Sequence, residues 1–545
     1  MKLNNVNFNR TKGKGLLAAG DDYISGLLFY GATLPAGFTD TDRVKKIFNV
    51  QGAEDLGIVD TYDDETKATS GTVESTLTGA AGDVVGITLD GVVLGEYTLE
   101  TSDAVGDVAT GLGAAVNALS DEHGFTASVG TATVTLVAPD GLGKMPSAGV
   151  LAYTKSTGDS TATVTQFSGG VGSLYKVWHY HISEYFRMKP DGVLYVGIYA
   201  VPSSFDGTEV TLMQNAANGE IRQIGIYYKD AAFASSQLTA LQTELAALRL
   251  VNRQLFAVHH GNCYDLDLST LPNISLLTAS KVNVNISEDG NWMQEEYSAT
   301  KSYNPGDKFL WINQVYSCGK AATGEAPYDT DYFAVISENI RVENGFSIST
   351  IGNEIGVISE AQVHQSIAAV EFFNLANGNN LDVSGFATGV TYKAQAASLL
   401  DTLNAYHYTF IRKFERNSGS YYNDSWTAIA ESSDYCSIER NRVMDKAERL
   451  VYDTIVPLIA KDLNLKEDGT LTQASIDIFE NAGDRALLSM ANNISVDDEG
   501  LSQFTFVVPP TQDVNTTKQI NNTLSIIPKY IARAIVVNNA FVVSL

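Results

Sequence analysis

Two histidine pairs are the first groups with the chemistry of a site. His179-Tyr-His181 and His259-His260 both offer imidazole nitrogens of the kind that bind metal. Local geometry works against each pair. Neighbours on a strand point to opposite faces, and residues i and i+2 on a helix diverge, so neither pair meets one ion without a distortion. A packed or surface imidazole is the ordinary reading. Phosphate-binding patterns also fall short. A P-loop needs GxxxxGK[ST], so that backbone N–H groups cradle the phosphates, and no such run occurs. Gly141-Leu-Gly-Lys144 has the wrong spacing and reads as a turn. Gly111-Leu-Gly113 lacks the third glycine of a dinucleotide fingerprint and falls inside a helical stretch. A GxSxG nucleophile elbow is missing. Cys263, Cys318 and Cys436 are far apart and lack CxxC spacing, which argues against a zinc knuckle or a disulfide framework. Carboxylates abound, but a catalytic pair depends on spatial separation, which spacing does not supply. The expectation is a non-enzyme with no catalytic, cofactor or metal residue.

Three other groups carry interaction chemistry. Within Ile438–Asp462, Arg440, Arg442, Lys446 and Arg449 gather in one half of a helix. That pattern fits a solvated face with i,i+4 pairs such as Asp445–Arg449. It also fits a docking face for an acidic protein surface. The chain ends carry the second group. Leu3, Val6 and Phe8 mix with polar residues in a strand-like way, and Ile535, Val537, Ala540 and Val542 lie on an apolar terminal run. An exposed apolar strand is an aggregation liability, so each end must pair, either in its own sheet or by adding to a neighbour's. The third group is the aromatic segment 289–338, with Trp292, Tyr297, Tyr303, Trp311, Tyr316, Tyr328 and Tyr332.

The elements that position these groups come in blocks. Residues 1–70 hold an extended arm, the strand Ile24–Tyr30 and a short helix around Asp42–Phe48. Residues 71–170 are rich in Gly, Thr, Val and Ala and nearly free of Lys and Arg. There Val84–Leu89, Val92–Leu99 and Phe125–Val137 read as strands, and Asp103–Leu119 as one helix. Ser168–Gly172 reads as a flexible exit. From 171 to 288, helices (Tyr175–Met188, Val210–Ala217, Ser235–Arg253) alternate with strands (Val193–Val201, Ile221–Tyr228, Leu255–His259, Val282–Ile286), the texture of an α/β layer with parallel pairing. Segment 289–338 interrupts it with short strands. The α/β texture returns over 339–545, with helices at Glu360–Leu375, Thr391–Leu403, Ile438–Asp462 and Leu471–Ala491, a break at Pro457, and a strand within Gly500–Pro509. The fold class is therefore α/β (α+β): one discontinuous core with extended N- and C-terminal strand arms and two inserted β-rich domains.

Composition limits the partners. Lys plus Arg is 36 and Asp plus Glu is 63, a net charge of −27, which argues against nucleic acid as a ligand. No apolar run approaches the roughly 20 residues of a membrane-spanning helix, and the N-terminus lacks an apolar signal region.

Two motif sets resemble a known family, the contractile tail sheath proteins of phages and of phage-derived contractile injection particles. One is Asn9-Arg-Thr-Lys-Gly-Lys-Gly-Leu-Leu followed by Asp21-Asp-Tyr-Ile-Ser-Gly-Leu-Leu-Phe-Tyr30. The other is Ser418-Gly-Ser-Tyr-Tyr-Asn-Asp-Ser-Trp426 followed by Ile438-Glu-Arg-Asn-Arg-Val-Met-Asp-Lys-Ala-Glu-Arg449. The resemblance covers roughly 1–70, 173–288 and 339–545. It implies a homo-oligomer of stacked rings around an inner tail tube, with baseplate and terminator proteins as further partners. The arms near Leu3–Asn9 and Ala532–Leu545 would add strands to neighbours, and the Arg440–Arg449 helix would face the tube. Such a subunit is made in the host cytoplasm and ends in a virion tail or an injection particle. Segment 303–333 is similar to small chitin-binding-type carbohydrate modules, with Phe333 where that pattern closes on Trp. This implies Trp292, Trp311 and Tyr328 as sugar-stacking platforms; the other reading is a decoration domain whose aromatics form its own core. The alternative function is a surface glycan-binding or adhesion protein.

Overall fold

The computed structural model describes residues 21–143, 149–264, 266–290, 297–311, 314–338, 348–377, 381–491 and 500–533. The chain opens on β1 (Ile24–Tyr30), β2 (Val44–Ile47) and α1 (Val50–Glu54). It continues through β3 (Gly71–Leu77), β4 (Val84–Leu89), β5 (Val92–Thr98), α2 (Val105–Ala118), β6 (Thr126–Val129), β7 (Thr133–Val137), β8 (Leu151–Lys155) and β9 (Thr161–Thr165). Next come α3 (Leu174–Met188), β10 (Val193–Tyr199), α4 (Thr208–Ala216), β11 (Gln223–Tyr227), α5 (Ser235–Leu250), β12 (Phe256–His260) and β13 (Val282–Asn285). The remaining elements used below are β14 (Lys308–Trp311), β15 (Gln314–Cys318), β16 (Phe333–Glu338), α6 (Ile351–Glu360), α7 (Ile438–Ile455), α8 (Gln473–Ala491), β17 (Leu501–Val507) and β18 (Thr523–Pro528).

A six-stranded sheet in the order β13-β12-β11-β1-β10-β2 organises the chain. β1 lies between β10 and β11 and is parallel to both, so its partners come from beyond residue 190. Every residue of β1 is buried. Ile24, Leu28 and Tyr30 join the core with α4 and α5, while Leu27 and Phe29 join the opposite core with α3 and α6. A strand covered on both faces has no polar alternation, which is why it reads as a continuous apolar run.

Two expectations are corrected. Residues near Asp42–Phe48 form β2, not a helix. β2 pairs antiparallel with β10 and closes the sheet edge, and lysines on an edge strand discourage further pairing. The helix follows it, capped by the Asn49 side chain accepting from Gly52 N–H at 2.8 Å. The stretch Glu360–Leu375 is mostly turns, and the helix is α6, immediately before it. α6 is buried on all sides except its last residue. A Cβ at Gly352 would stand 2.2 Å from the His181 carbonyl oxygen, and one at Gly356 would stand 2.8 Å from the Tyr185 carbonyl oxygen. Two glycines four apart therefore let α6 lie directly on the backbone of α3.

The expected interruptions share one core. Strands β6-β7-β3-β9 and β5-β4-β8 form two sheets around α2. Val85, Leu94, Leu112 and Phe125 from this part cluster with Phe309, Trp311, Tyr316 and Phe333 from the aromatic segment. The Tyr328 hydroxyl donates to the Val93 carbonyl at 2.7 Å. The stretch 168–172 is no loose exit: Thr66 bridges Val171 and Thr69 bridges Ser168, giving a paired neck. Asp64 then accepts from Leu174 N–H at 2.8 Å at the start of α3.

Because the two segments bury their aromatics together, Trp311→Ala is expected to cost about 3–5 kcal/mol. Hydrogen exchange should speed up in β4, β5 and α2 as well as in β14 and β15, and stay unchanged in β1, β10 and β11. Exchange confined to 297–338 would contradict the shared core.

Candidate interaction surfaces

Helix α7 gathers the four cations singled out in the sequence, but their partners lie within the chain. Its first half is buried from Ile438 to Ala447 apart from Arg440 and Met444. Lys446 Nζ lies 2.8 Å from Asp22 Oδ2, and Arg449 pairs with the other oxygen of the same carboxylate. Arg442 donates to the carbonyls of Ala361 at 3.0 Å and Gln362 at 3.3 Å, and to that of Asp22 at 3.4 Å. Burial alone would raise the Asp22 pKa; Lys446 and Arg449 more than reverse it and hold the carboxyl below its usual value. Burial pushes the Arg442 guanidinium down to about 10 despite Asp22 nearby. Arg440 is half-buried, hydrogen-bonded to the Ser433 carbonyl at 3.3 Å and stacked over Tyr530 at 5.3 Å. The expected Asp445–Arg449 pair does not form, because Asp445 takes Lys281 at 2.5 Å. Nor does α7 present four free cations outward. Arg442 and Lys446 are buried, since each finds a partner only by turning inward.

The last described residue docks on the same helix. Arg533 Nε donates to both Asp424 oxygens at 2.9 and 3.1 Å, and its Nη2 lies 3.2 Å from Glu439 Oε1. Its guanidinium carbon lies 4.3 Å from the centre of the Trp426 ring. The His407 ring stacks on that indole at 4.3 Å and 3°. Asp22 holds α7 at positions 446 and 449 and Arg533 holds it at 439. At 1.5 Å per residue, the two attachments are about 10–15 Å apart along the axis. The strand-like ends themselves, with Leu3, Val6, Phe8, Ile535, Val537 and Val542, lie outside the described residues.

Beside α7 and α8 sits a two-stranded antiparallel sheet, β17 with β18. Its inner face puts Leu501 and Phe506 into the core formed with α7 and α8, with Phe504, Leu524 and Ile526 partly buried against it. Gly483 of α8 makes the room, since a Cβ there would stand 2.3 Å from the Phe506 ring. Among the described residues neither strand has a second partner, so both outer edges carry unpaired backbone groups. Val507 and Ile527 are each 45% exposed and Tyr530 69%.

Of the proposed sugar platforms, Trp311 and Tyr328 pack into the shared core. Trp311 is buried, with Tyr328 at 5.5 Å and Tyr316 at 6.3 Å between ring centres. Tyr328 is fixed to Val93 in the shared core, and Phe333 stands edge-on to Phe309. A stacking platform needs a bare ring face; Trp311 is buried and Tyr328 is half-buried against Trp311 and His123. Trp292 lies outside the described residues.

The histidines serve the core. His259 Nε2 lies 3.1 Å from Gln237, and His260 Nε2 lies 3.3 Å from Glu288 on the other face of β12. His181 is fully buried, with no partner for either ring nitrogen among the described residues. Burial and the neighbouring His260 hold it down at about 3; His259 is lowered to about 3 for the same reasons. Among the described residues no group of three or more His, Cys, Asp or Glu is arranged to hold a metal. No described helix is long and apolar enough to cross a membrane. The pattern reading missed Asp22 and Arg533, which only spatial proximity picks out, and Glu354. Glu354 is fully buried in α6, where one carboxyl oxygen meets Asn285 at 2.6 Å and the other has no hydrogen-bond partner among the described residues. Burial raises its pKa to about 8, with the Asn285 contact a smaller opposing effect.

A family model described as the C-terminal domain of DUF2586 matches residues 434–545, the stretch that contains α7, α8, β17 and β18. Among solved structures, the chain is similar to the contracted helical sheath of the anti-feeding prophage: 16% identity, 66% of this chain and 81% of that one, TM-score 0.39. It is similar to the contracted PVC sheath complex of an extracellular contractile injection system: 12% identity, 67% and 81% covered, TM-score 0.38. It is also similar to a sheath tail protein from Desulfitobacterium hafniense: 9% identity, 96% and 100% covered, TM-score 0.32. No curated protein matches it.

Two stability outcomes follow. Asp22→Ala leaves Lys446, Arg449 and Arg442 facing one another and is expected to cost about 3–5 kcal/mol in urea unfolding. A loss below about 1 kcal/mol would show the cluster to be solvated. Glu354 is protonated in the folded state from its unfolded pKa of 4.5 up to about 8. Its contribution is therefore full below pH 4.5 and is lost as pH rises through 8. Glu354→Gln should gain about 2–4 kcal/mol over the parent at pH 8 and little at pH 4.5. His181 and His259 act oppositely, weakening the fold as pH falls from 6.5 towards 3.

Proposed function

We propose that this chain is a non-enzymatic structural subunit of a contractile tail sheath, polymerising as stacked rings around an inner tube and shortening to drive that tube through a cell envelope. The observation that carries this reading is a two-stranded sheet, β17 with β18, whose outer edges have no partner among the described residues, beside a helix α7 that holds both the first and the last described stretches, through Asp22 and Arg533. Strand donor and strand acceptor on one subunit make a heterologous contact, which repeats without closing on itself and builds helical arrays. On this reading Leu3, Val6 and Phe8, and Ile535, Val537 and Val542, lie on the donated strands. For the inner tube, the inward pairing of Arg442, Lys446 and Arg449 leaves Arg440 as the half-buried cation of α7 with no carboxylate partner among the described residues. Baseplate and terminator proteins complete the partners, in a virion tail or an injection particle assembled from subunits made in the host cytoplasm. The segments 71–170 and 289–338 are decorations of the core.

Repacking between subunits is a sufficient source of work. At about 25 cal/mol per Å2, a few hundred Å2 of extra apolar burial yields on the order of 5–10 kcal/mol per copy before association costs. Summed over many copies, this needs no nucleotide.

Negative-stain microscopy of the purified chain is expected to show rings or tubes; a protein that stays monomeric under every condition would sink the reading. Removing residues 534–545 keeps the Arg533 clamp, so circular dichroism should be unchanged while assembly is lost. A truncated chain that still forms tubes would exclude the C-terminal strand as donor.

A further inference from the structure

A cleft of about 390 Å3 lies at the foot of β1, lined by Asp21, Asp22, Arg222, Lys446, Arg449 and Asp453, among others. Its charges do not balance at depth. Arg222, Lys446 and Arg449 line it, and the carboxylate between them is the half-buried Asp22, already held by Lys446 and Arg449; Arg442 lies behind them, with the buried Glu439 near it. Asp21 and Asp453 are exposed at the rim, where water and salt screen them. Glu220 is taken by Lys46 and Tyr195. Arg222 makes no ion pair among the described residues. Its Nη1 donates to the Gly219 carbonyl at 2.6 Å, and its buried Nε has no partner. Burial and the nearby Arg449 push its guanidinium down to about 10, as two like charges sharing one counter-ion require. The segment preceding Asp21 brings no relief, because residues 1–20 contain Lys2, Arg10, Lys12 and Lys14 and no Asp or Glu.

We propose that this cleft is an oxyanion-binding site centred on Arg222 and Arg449, and that its occupant is a carboxylate side chain of a second copy of this chain. The guanidinium groups of Arg222 and Arg449, which line the cleft, supply charge-assisted donors suited to a carboxylate or a phosphate. A chain with 63 acidic against 36 basic residues offers carboxylates on most faces of a neighbour. The site lies beside Asp21 and Asp22 at the foot of β1, so filling it would couple neutralisation of the cluster to subunit contact. The oxyanion site stands independently of the sheath reading; its occupant rests on that reading.

Isothermal titration of the full-length subunit with inorganic phosphate, at constant ionic strength, tests the site without any need for assembly. Saturable 1:1 binding is expected, at least tenfold weaker in Arg222→Gln and partly restored in Arg222→Lys. No saturable binding, or equal affinity in parent and Arg222→Gln, overturns the site whether or not tubes form. Tube yield across a salt series then tests the occupant. Arg222→Gln should assemble less at low salt, and phosphate should inhibit the parent more than the variant. A variant that assembles like the parent at every salt concentration overturns the second-copy carboxylate. A parent that never assembles fails the sheath reading, and the phosphate titration still decides the site.

Discussion

The arrangement depends on one half-buried carboxylate. Asp22 sits two residues before the central strand of the main sheet and is held by two cations of α7, 424 and 427 positions further along the chain. A desolvated charge is tolerated only with partners in place. The contact therefore fixes where α7 crosses the foot of the sheet. It also fixes where the N-terminal segment leaves the core, since Asp22 cannot move without stranding Lys446 and Arg449. Arg533 imposes the same condition at the other end through Asp424, Glu439 and Trp426.

Ion pairs suit this role better than apolar contacts of similar size. Replacing a buried pair by well-packed hydrophobic groups often leaves stability unchanged, whereas removing one partner is strongly destabilising. An apolar seat tolerates a slide of one residue; a bidentate guanidinium–carboxylate contact does not. On the proposed function, segments leaving from Asp22 and Arg533 are pulled by neighbours while the cores rotate. Registered roots then turn that pull into motion of α7 and the sheet as one body.

Much of this fold was legible because its elements have one dry side. Leu238, Leu241, Leu245 and Leu248 mark α5 at helical spacing and all are buried. α6 escaped because it is buried almost all round, so it has no polar face to set a period, and its glycines read as breakers although they are contact points. The stretch Asp42–Phe48 is short enough to suit either state, and the open edge of β10 decided it. The site divides in the same way. Basic residues on α7 are visible in the sequence, but their burial depends on a carboxylate hundreds of positions away. Trp311 and Tyr328 have identical spacing in a sugar platform and in a core. The deciding atom, the Val93 carbonyl, belongs to the other segment.

That last contact changes how the decorations behave. A module hung on a core by one insertion can tilt about its two linkers. Here one segment is tied by the Thr66–Val171 and Thr69–Ser168 neck. Aromatic packing welds the second segment, 297–338, onto it. A body packed as one core resists internal rotation, because turning one segment strains its contacts with the other. On the proposed function, this body would follow the core sheet as the subunit reorients. Glycan-binding on such a body would need a ring face turned to solvent, and the welding consumes those at Trp311 and Tyr328. The aromatic content of this segment is therefore explained by the core it shares with residues 71–170.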